Sequence, residues 1–281
     1  MKVMTIFKAA VLGIVQGLAE FLPISSSGHL ELFQHLMNLS DNAASMMLLT
    51  VLLHVGTLVA VAVVFWKDWM DILRHLFKSK MLGLLFIASI PALVAAVVLG
   101  DALDSLFGSG TLGICFLITT LFLLLTEWVG KKMQKRQDLC EEVGIKHALC
   151  MGVMQAVAIL PGVSRSGSTL LGGIFSGMKR EKAAKFSFMM SAPAILGSLL
   201  VEGKDLLENG GMELLSANLV PVIVGVVLSA VSGYLAIRYM LKLINRISFN
   251  WFALYVGIVG VTVIVLQLCG VSFLPAFPFF N

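Results

Sequence analysis

The chain has 281 residues, of which 58% are hydrophobic and 13% charged, and its mean hydropathy is +0.96. A soluble domain carries roughly 25% charged residues, so this composition excludes a soluble enzyme, a disordered chain and a secreted disulfide scaffold, and describes an integral membrane protein. The formal net charge of +4 does not call for nucleic acid, because in a membrane protein lysine and arginine set topology.

Residues 3–38 form an apolar region interrupted by Pro23 and the Ser25-Ser26-Ser27-Gly28 cluster. Three uninterrupted apolar runs follow at 46–66, 82–100 and 110–129. A second interrupted region covers 145–177, and three more runs follow at 184–201, 217–240 and 250–269. The six runs are long enough to cross a hydrocarbon core about 30 Å thick at 1.5 Å per residue. Each interrupted region offers a helical piece of under 20 residues before its break and one of about 10 after it, according to the pattern of apolar positions. Such pieces are too short to cross, so each region is predicted to be a re-entrant helix pair, buried by protein or lining a polar cavity.

Sixteen of the twenty basic residues fall in four connections, 67–80, 130–147, 178–185 and 238–248. If these are cytoplasmic, every span alternates correctly and the C-terminus lies outside. Lys2 and Lys8 are the exception, because the same topology puts the N-terminal helix pair on the outer side. Lys2, Lys8, the apolar stretch and Gly17-Leu18-Ala19 also resemble a signal peptide, a reading set aside because the segment has an internal twin. The four cysteines, Cys115, Cys140, Cys150 and Cys269, have no metal or disulfide spacing and read as free thiols. Trp66, Trp69, Trp128 and Trp251 fit an interfacial aromatic belt.

The twin appears on a shift of 139 residues, which superimposes Gly13 on Gly152, Gln16 on Gln155, Ala19 on Ala158, Ser25 on Ser164, Ser27 on Ser166 and Gly28 on Gly167. The prolines fall one residue out of register, Pro23 opposite Gly162 and Pro161 opposite Leu22. Each half, 1–139 and 140–281, then holds one re-entrant pair and three spans, and an odd number of crossings inverts the second copy. The expected fold is a single all-α polytopic membrane domain, six transmembrane helices plus two re-entrant pairs in an inverted-topology repeat. Broken segments of such repeats usually meet near mid-membrane and build the site.

Away from span ends, the apolar regions hold three charges: Glu20 and Glu31 around the first break and Arg165 in the second. A charge at the bilayer centre costs roughly 2.5–3.5 kcal/mol on insertion scales, so each is expected to have a function or a partner. Glu20 and Arg165 could form a purely structural ion pair. Neither stands alone, however. Each break is a proline followed by a Ser/Gly cluster that opens a short helix, where free backbone N–H groups, hydroxyls and the helix dipole can converge on a phosphate-like anion. Arg165 adds a guanidinium fork that grips phosphate oxygens.

The first break also holds what catalysis requires: hydroxyls as nucleophiles, His29 three residues after Ser26, and the Glu20 carboxylate, with Glu20 and His29 able to manage a proton. Helix capping is the plain alternative for the serines. Gln16, four residues before Glu20, could join it in presenting oxygens to a divalent cation. His54 reads as a buried, hydrogen-bonded histidine near a span start, His35, His75 and His147 as interfacial or loop residues, and the acidic group in 202–216 as a solvated outer loop.

These motifs resemble the undecaprenyl-diphosphate phosphatase family, integral membrane enzymes associated with bacitracin resistance. Gln16 and Glu20 fit the family's Glu/Gln-xxx-Glu pattern, with Gln16 at a position often occupied by Glu. Residues 23–30, Pro-Ile-Ser-Ser-Ser-Gly-His-Leu, fit its serine-histidine motif, and residues 161–169, Pro-Gly-Val-Ser-Arg-Ser-Gly-Ser-Thr, fit its Pro-Gly-x-Ser-Arg-Ser-x-x-Thr motif. The resemblance covers essentially the whole chain. It implies hydrolysis of undecaprenyl diphosphate to undecaprenyl phosphate and inorganic phosphate, recycling the carrier for cell-wall synthesis and conferring bacitracin resistance. It further implies a divalent cation, Mg2+ or Ca2+, and a site in the bacterial inner membrane open to the periplasmic face. Carried over by residue, Ser26 is the nucleophile, Glu20 and His29 the acid/base or metal-organising pair, and Arg165 the diphosphate clamp. Ser25, Ser27, Ser164, Ser166 and Thr169 supply hydrogen bonds, and Glu20 and Gln16 are the metal candidates. Partners are the polyprenyl diphosphate and membrane lipids, with no nucleic acid, and a homodimer is compatible with the sequence. The competing reading is an anion or lipid-phosphate transporter or flippase on the same repeat; against it, Glu20 and His29 face Ile159 and Ser168 in the second copy.

Overall fold

A computed structural model describes residues 4–37, 39, 43–76, 78–106, 109–133, 139–140, 142–208 and 211–271. Lys2 and the chain beyond Val271 lie outside these residues, and with them the expected placement of the C-terminus. The described chain is all-helical. In order it runs α1 (Ile6–Phe21), α2 (Ser26–Leu36), α3 (Ala43–Val64), α4 (Trp66–Arg74), α5 (Lys80–Leu106), a 3-10 turn (Ser109–Thr111), α6 (Leu112–Met133), α7 (Ile145–Val157), α8 (Arg165–Phe175), α9 (Arg180–Glu208), α10 (Gly211–Ala217), α11 (Leu219–Leu243) and α12 (Phe249–Leu268). Six of them, α3, α5, α6, α9, α11 and α12, are long and apolar enough to cross a membrane.

Two elements differ from the sequence expectation. The connection after the first span carries α4, whose Trp69 and Ile72 turn inward with Phe65 onto the main apolar core, a short amphipathic helix of a length that span arithmetic overlooks. The acidic group expected as an outer loop over 202–216 is helical where it is described: Glu202 and Glu208 belong to the last turns of α9 and Glu213 to the short helix α10. Trp66, Trp128 and Trp251 are exposed near helix ends that adjoin the basic connections, whereas Trp69 packs against the core. The four cysteines are free.

α1 and α2, and likewise α7 and α8, are too short to span; α1, the longest at 16 residues, reaches about 24 Å. Thr5 caps α1 by accepting from the Lys8 N–H at 3.3 Å, and the helix stops at Leu22, which is extended before Pro23 as proline requires of its predecessor. Ser25 and Ser164 cap α2 and α8 by accepting from Gly28 N at 3.3 Å and Gly167 N at 3.1 Å. The Lys8 ammonium donates to the Met37 carbonyl at 2.8 Å, at the C-terminal end of α2. Its charge therefore serves a helix end.

The short helices are fastened to long ones by contact of bare backbones. α1 lies against α11 and α7 against α5. A Cβ on Gly13 would collide with the Gly225 carbonyl, and one on Gly152 with the Ala88 carbonyl, so both helices approach as closely as small residues allow in membrane packing. At the basic ends of α6, α9 and α12, the buried Glu127 carboxylate accepts from Arg180 at 3.0 Å and from the Phe249 N–H at 3.1 Å, with Lys131 3.5 Å away. Gly13→Ala and Gly152→Ala are each expected to lower stability by about 1–3 kcal/mol through overpacking. Gly83→Ala, inside α5 and where a Cβ meets nothing within 4 Å, is expected to raise it by up to about 1 kcal/mol through helix propensity. Thermal unfolding of the purified protein in detergent checks the three together.

Candidate active site

Glu20 sits in the last turn of α1, 7% exposed, where the chain is about to break. Its carboxylate organises the site. Oε1 accepts from Arg165 Nη2 at 2.5 Å, and Oε2 accepts from Ser26 Oγ at 2.7 Å and from Gln16 Nε2 at 3.0 Å. Ser26 opens α2 and Arg165 opens α8, so two helix N-termini point at one carboxylate from opposite halves of the chain. Arg165 also donates through Nη1 to the Ser187 carbonyl at 3.2 Å, which ties the site to α9. Among the described residues two of its five guanidinium N–H groups are placed by these bonds.

The two breaks interlock. Ser27 Oγ accepts from the Gly162 N–H at 3.2 Å, and Ser166 Oγ donates to the Leu22 carbonyl at 3.1 Å. Ser25 and Ser27 stand 3.5 Å apart through their hydroxyls, Ser164 and Ser166 3.3 Å. Thr119 of α6 accepts from the Ser164 N–H at 2.9 Å. Thr169 Oγ1 donates to the Arg165 carbonyl at 2.9 Å and accepts from Ser187 Oγ at 2.6 Å. Ser25, Ser164, Ser166 and Thr169 are buried, their hydroxyls engaged within the protein, whereas Ser26 is half-buried and Ser27 exposed. Ser26, Ser27 and Arg165 are therefore the polar side chains of the two breaks that keep exposed surface.

Thr119, Ser187 and Tyr255 escaped the sequence reading, and His54 was read there only as a hydrogen-bonded histidine, not as part of the site. His54 of α3 brings Nε2 to 3.9 Å from Glu20 Oε2, while its Nδ1 donates to the Thr50 carbonyl at 2.7 Å; local sequence shows only a histidine near a span start. Thr119 and Ser187 look like ordinary small polar residues in spans. Tyr255 of α12 meets His29 Nε2 through its hydroxyl at 2.9 Å, and a phenol amid an apolar run was the available signal. Glu31 does not join the cluster; it faces His35 one turn along α2 at 4.0 Å.

Among the described residues no three His, Cys, Asp or Glu side chains are grouped to hold a metal. Gln16 and Glu20 nonetheless suit a hard cation that completes its shell with substrate phosphate and water. Gln16 is fully buried, and its Oε1 has no hydrogen-bond partner, which leaves one oxygen available beside the carboxylate.

Removing Arg165 would strand a buried carboxylate, so Arg165→Met is expected to lower stability by about 3–5 kcal/mol. Adding Glu20→Gln should recover a large part of that loss. Chemical unfolding of the two single variants and the double variant measures the coupling.

A family model described as bacitracin resistance protein BacA matches residues 9–262. The chain is 40% identical over 269 residues to an undecaprenyl-diphosphatase of Carboxydothermus hydrogenoformans, covering 95% of this chain and 99% of that one. It is 40% identical to an undecaprenyl-diphosphatase of Halothermothrix orenii, with 94% and 98% covered, and 38% identical to one of Alkaliphilus metalliredigens, with 94% and 100% covered.

Proposed function

This chain belongs to the bacitracin resistance protein BacA family, and on that premise we infer that it hydrolyses undecaprenyl diphosphate to undecaprenyl phosphate and inorganic phosphate in a membrane. The activity returns the lipid carrier to cell-wall synthesis. The observation that carries the chemistry is the convergence of Ser26 and Arg165 on Glu20, at 2.7 and 2.5 Å. A transporter is not favoured, since the relatives at this level of identity are named as phosphatases.

In the proposed mechanism Arg165 and the open N-termini of α2 and α8 hold the diphosphate. Ser26 Oγ attacks the terminal phosphorus and its proton passes to Glu20 Oε2. The new Oγ–P bond forms as the P–O bond to the bridging oxygen breaks, and the electron pair leaves on undecaprenyl phosphate. Water then attacks the phosphoserine, releasing inorganic phosphate and restoring the Ser26 hydroxyl, with Glu20 handling the protons. Gln16 and Glu20 would hold a divalent cation, Mg2+ or Ca2+, which when bound stabilises negative charge on the phosphoryl oxygens. Ser27 hydrogen-bonds the bound phosphate. Ser25, Ser164, Ser166 and Thr169 keep the two breaks in place.

The architecture proposed for this chemistry is an inverted repeat of halves 1–139 and 140–281, with α1/α2 and α7/α8 as re-entrant pairs. Its support is the recurrence of element starts at the same offset: Ile6 and Ile145, Ser26 and Arg165, Lys80 and Leu219. The Gly13 and Gly152 contacts and the Ser27 and Ser166 cross-links recur likewise. The basic connections are assigned to the cytoplasm of a bacterial inner membrane and the site to the periplasmic face.

Phosphate release from farnesyl diphosphate with Mg2+ tests the activity. Ser26→Ala and Glu20→Gln are each expected to lower kcat by about 100-fold or more; unchanged activity in Ser26→Ala would instead favour direct attack by water. For the topology, Ser216→Cys in a background lacking the exposed Cys140 and Cys269 is expected to react with an impermeant thiol reagent from outside, and Lys78→Cys is not. The reverse pattern inverts the assignment.

A further inference from the structure

Ser25 has φ 75° and ψ 99°, and among the described residues it is the one non-glycine residue with a positive φ. Such a conformation costs on the order of 1–3 kcal/mol and persists only where its surroundings hold it. Capping a helix does not require it, because the matching cap Ser164 has φ −67° and ψ 114°. The strain stands immediately before Ser26, the residue that donates to Glu20.

What holds Ser25 is His29. The Ser25 carbonyl accepts from the His29 backbone N–H at 3.2 Å and faces His29 Nδ1 at 2.8 Å. A carbonyl only accepts, so Nδ1 carries the hydrogen and Nε2 of the neutral ring is a lone pair. That lone pair faces the Tyr255 hydroxyl at 2.9 Å, which donates to it. The ring is stacked on Tyr255, centroids 5.6 Å apart at 17°, and meets Phe116 edge-on at 5.2 Å and 77°. His29 is 3% exposed. At the matching position Ser168 Oγ donates to the Ser164 carbonyl at 2.8 Å. Both halves therefore hold the same carbonyl, and only the first does so through a side chain anchored on another helix.

We infer that Tyr255 is a positioning residue for the hydrolysis proposed above: its hydroxyl fixes the Nδ1–H form of His29, His29 clamps the Ser25 carbonyl, and the clamped turn aims Ser26 at Glu20. His29 then holds the nucleophile's turn and does not exchange a proton with substrate. Its two ring nitrogens are both engaged. The inference rests on the hydrolase reading, and one arm of its test is independent of activity.

The test compares kcat and KM for farnesyl diphosphate with Mg2+ in the wild type and in Tyr255→Phe, His29→Asn and His29→Ala, each verified as folded by thermal unfolding. An asparagine amide nitrogen occupies the place of Nδ1 and can still donate to Ser25, but it offers nothing at Nε2. Tyr255→Phe is expected to lower kcat about tenfold with KM nearly unchanged, the scale of one hydrogen bond. His29→Asn should stay within about tenfold of wild type, with no further loss on adding Tyr255→Phe, and His29→Ala should fall well below it. A folded His29→Asn as inactive as His29→Ala would make His29 a proton carrier and overturn the proposal, as would an unaltered kcat in Tyr255→Phe. Independently, the 15N shifts of the His29 ring should report the Nδ1–H form in wild type and a mixture in Tyr255→Phe. An unchanged ring spectrum overturns the Tyr255 role whether or not the wild type releases phosphate, whereas a wild type that releases none while the spectrum changes overturns only the hydrolase reading.

Discussion

Glu20 and Arg165 are 145 residues apart and meet at 2.5 Å, joining the first break of the chain to the second. Either charge alone in the hydrocarbon would cost roughly 2.5–3.5 kcal/mol on insertion scales, and a buried charge robbed of its partner costs several more. The position of α1 relative to α8 is therefore set by an interaction that fails if either helix end moves. Ser26, Gln16 and Ser187 attach to the two partners of that pair, so the Ser26 hydroxyl, the Gln16 amide and α9 all inherit their placement from it. The pair that joins the two breaks is also the one that the Ser26 hydroxyl meets.

Around it the two breaks use the same local device and arrive at different chemistry. Each places a serine at the N-cap that accepts from the N–H of the glycine three residues on, and each crosses to the other's backbone through the serine two residues on. The first residue of the helix is where they diverge. It is Ser26 in one and Arg165 in the other, so equivalent backbone sites deliver a hydroxyl and a counter-charge to the same carboxylate. The second divergence, His29 against Ser168, accompanies a positive φ at the first cap and an ordinary extended one at the second.

The spans were readable because their length in apolar residues is fixed by bilayer thickness, and the breaks because proline and clustered serine interrupt that length. Glu20 and Arg165 stood out for a related reason, being scarce charges in apolar regions. His54, Thr119, Ser187 and Tyr255 did not. Each lies in a long helix whose composition is governed by the membrane, and each reaches the site only through packing between helices distant in sequence, α3, α6, α9 and α12. Their local sequence carries the helix and not the neighbour. α4 was missed on another ground: nine residues cannot cross a membrane, and its inward face becomes visible only once Phe65, Trp69 and Ile72 are seen to share a core with the spans.

The glycine contacts that fasten α1 to α11 and α7 to α5 have a bearing on the lipid. Long helices tilt to match the thickness of the bilayer around them, whereas helices too short to reach both interfaces take their orientation from what they touch. Backbone pressed on backbone leaves no flexible side chain to absorb a change in crossing angle. Hydrophobic mismatch at α11 or α5 is thereby transmitted to the ends of α1 and α7, which makes the thickness of the membrane a geometric variable of the distance between Ser26 and Arg165.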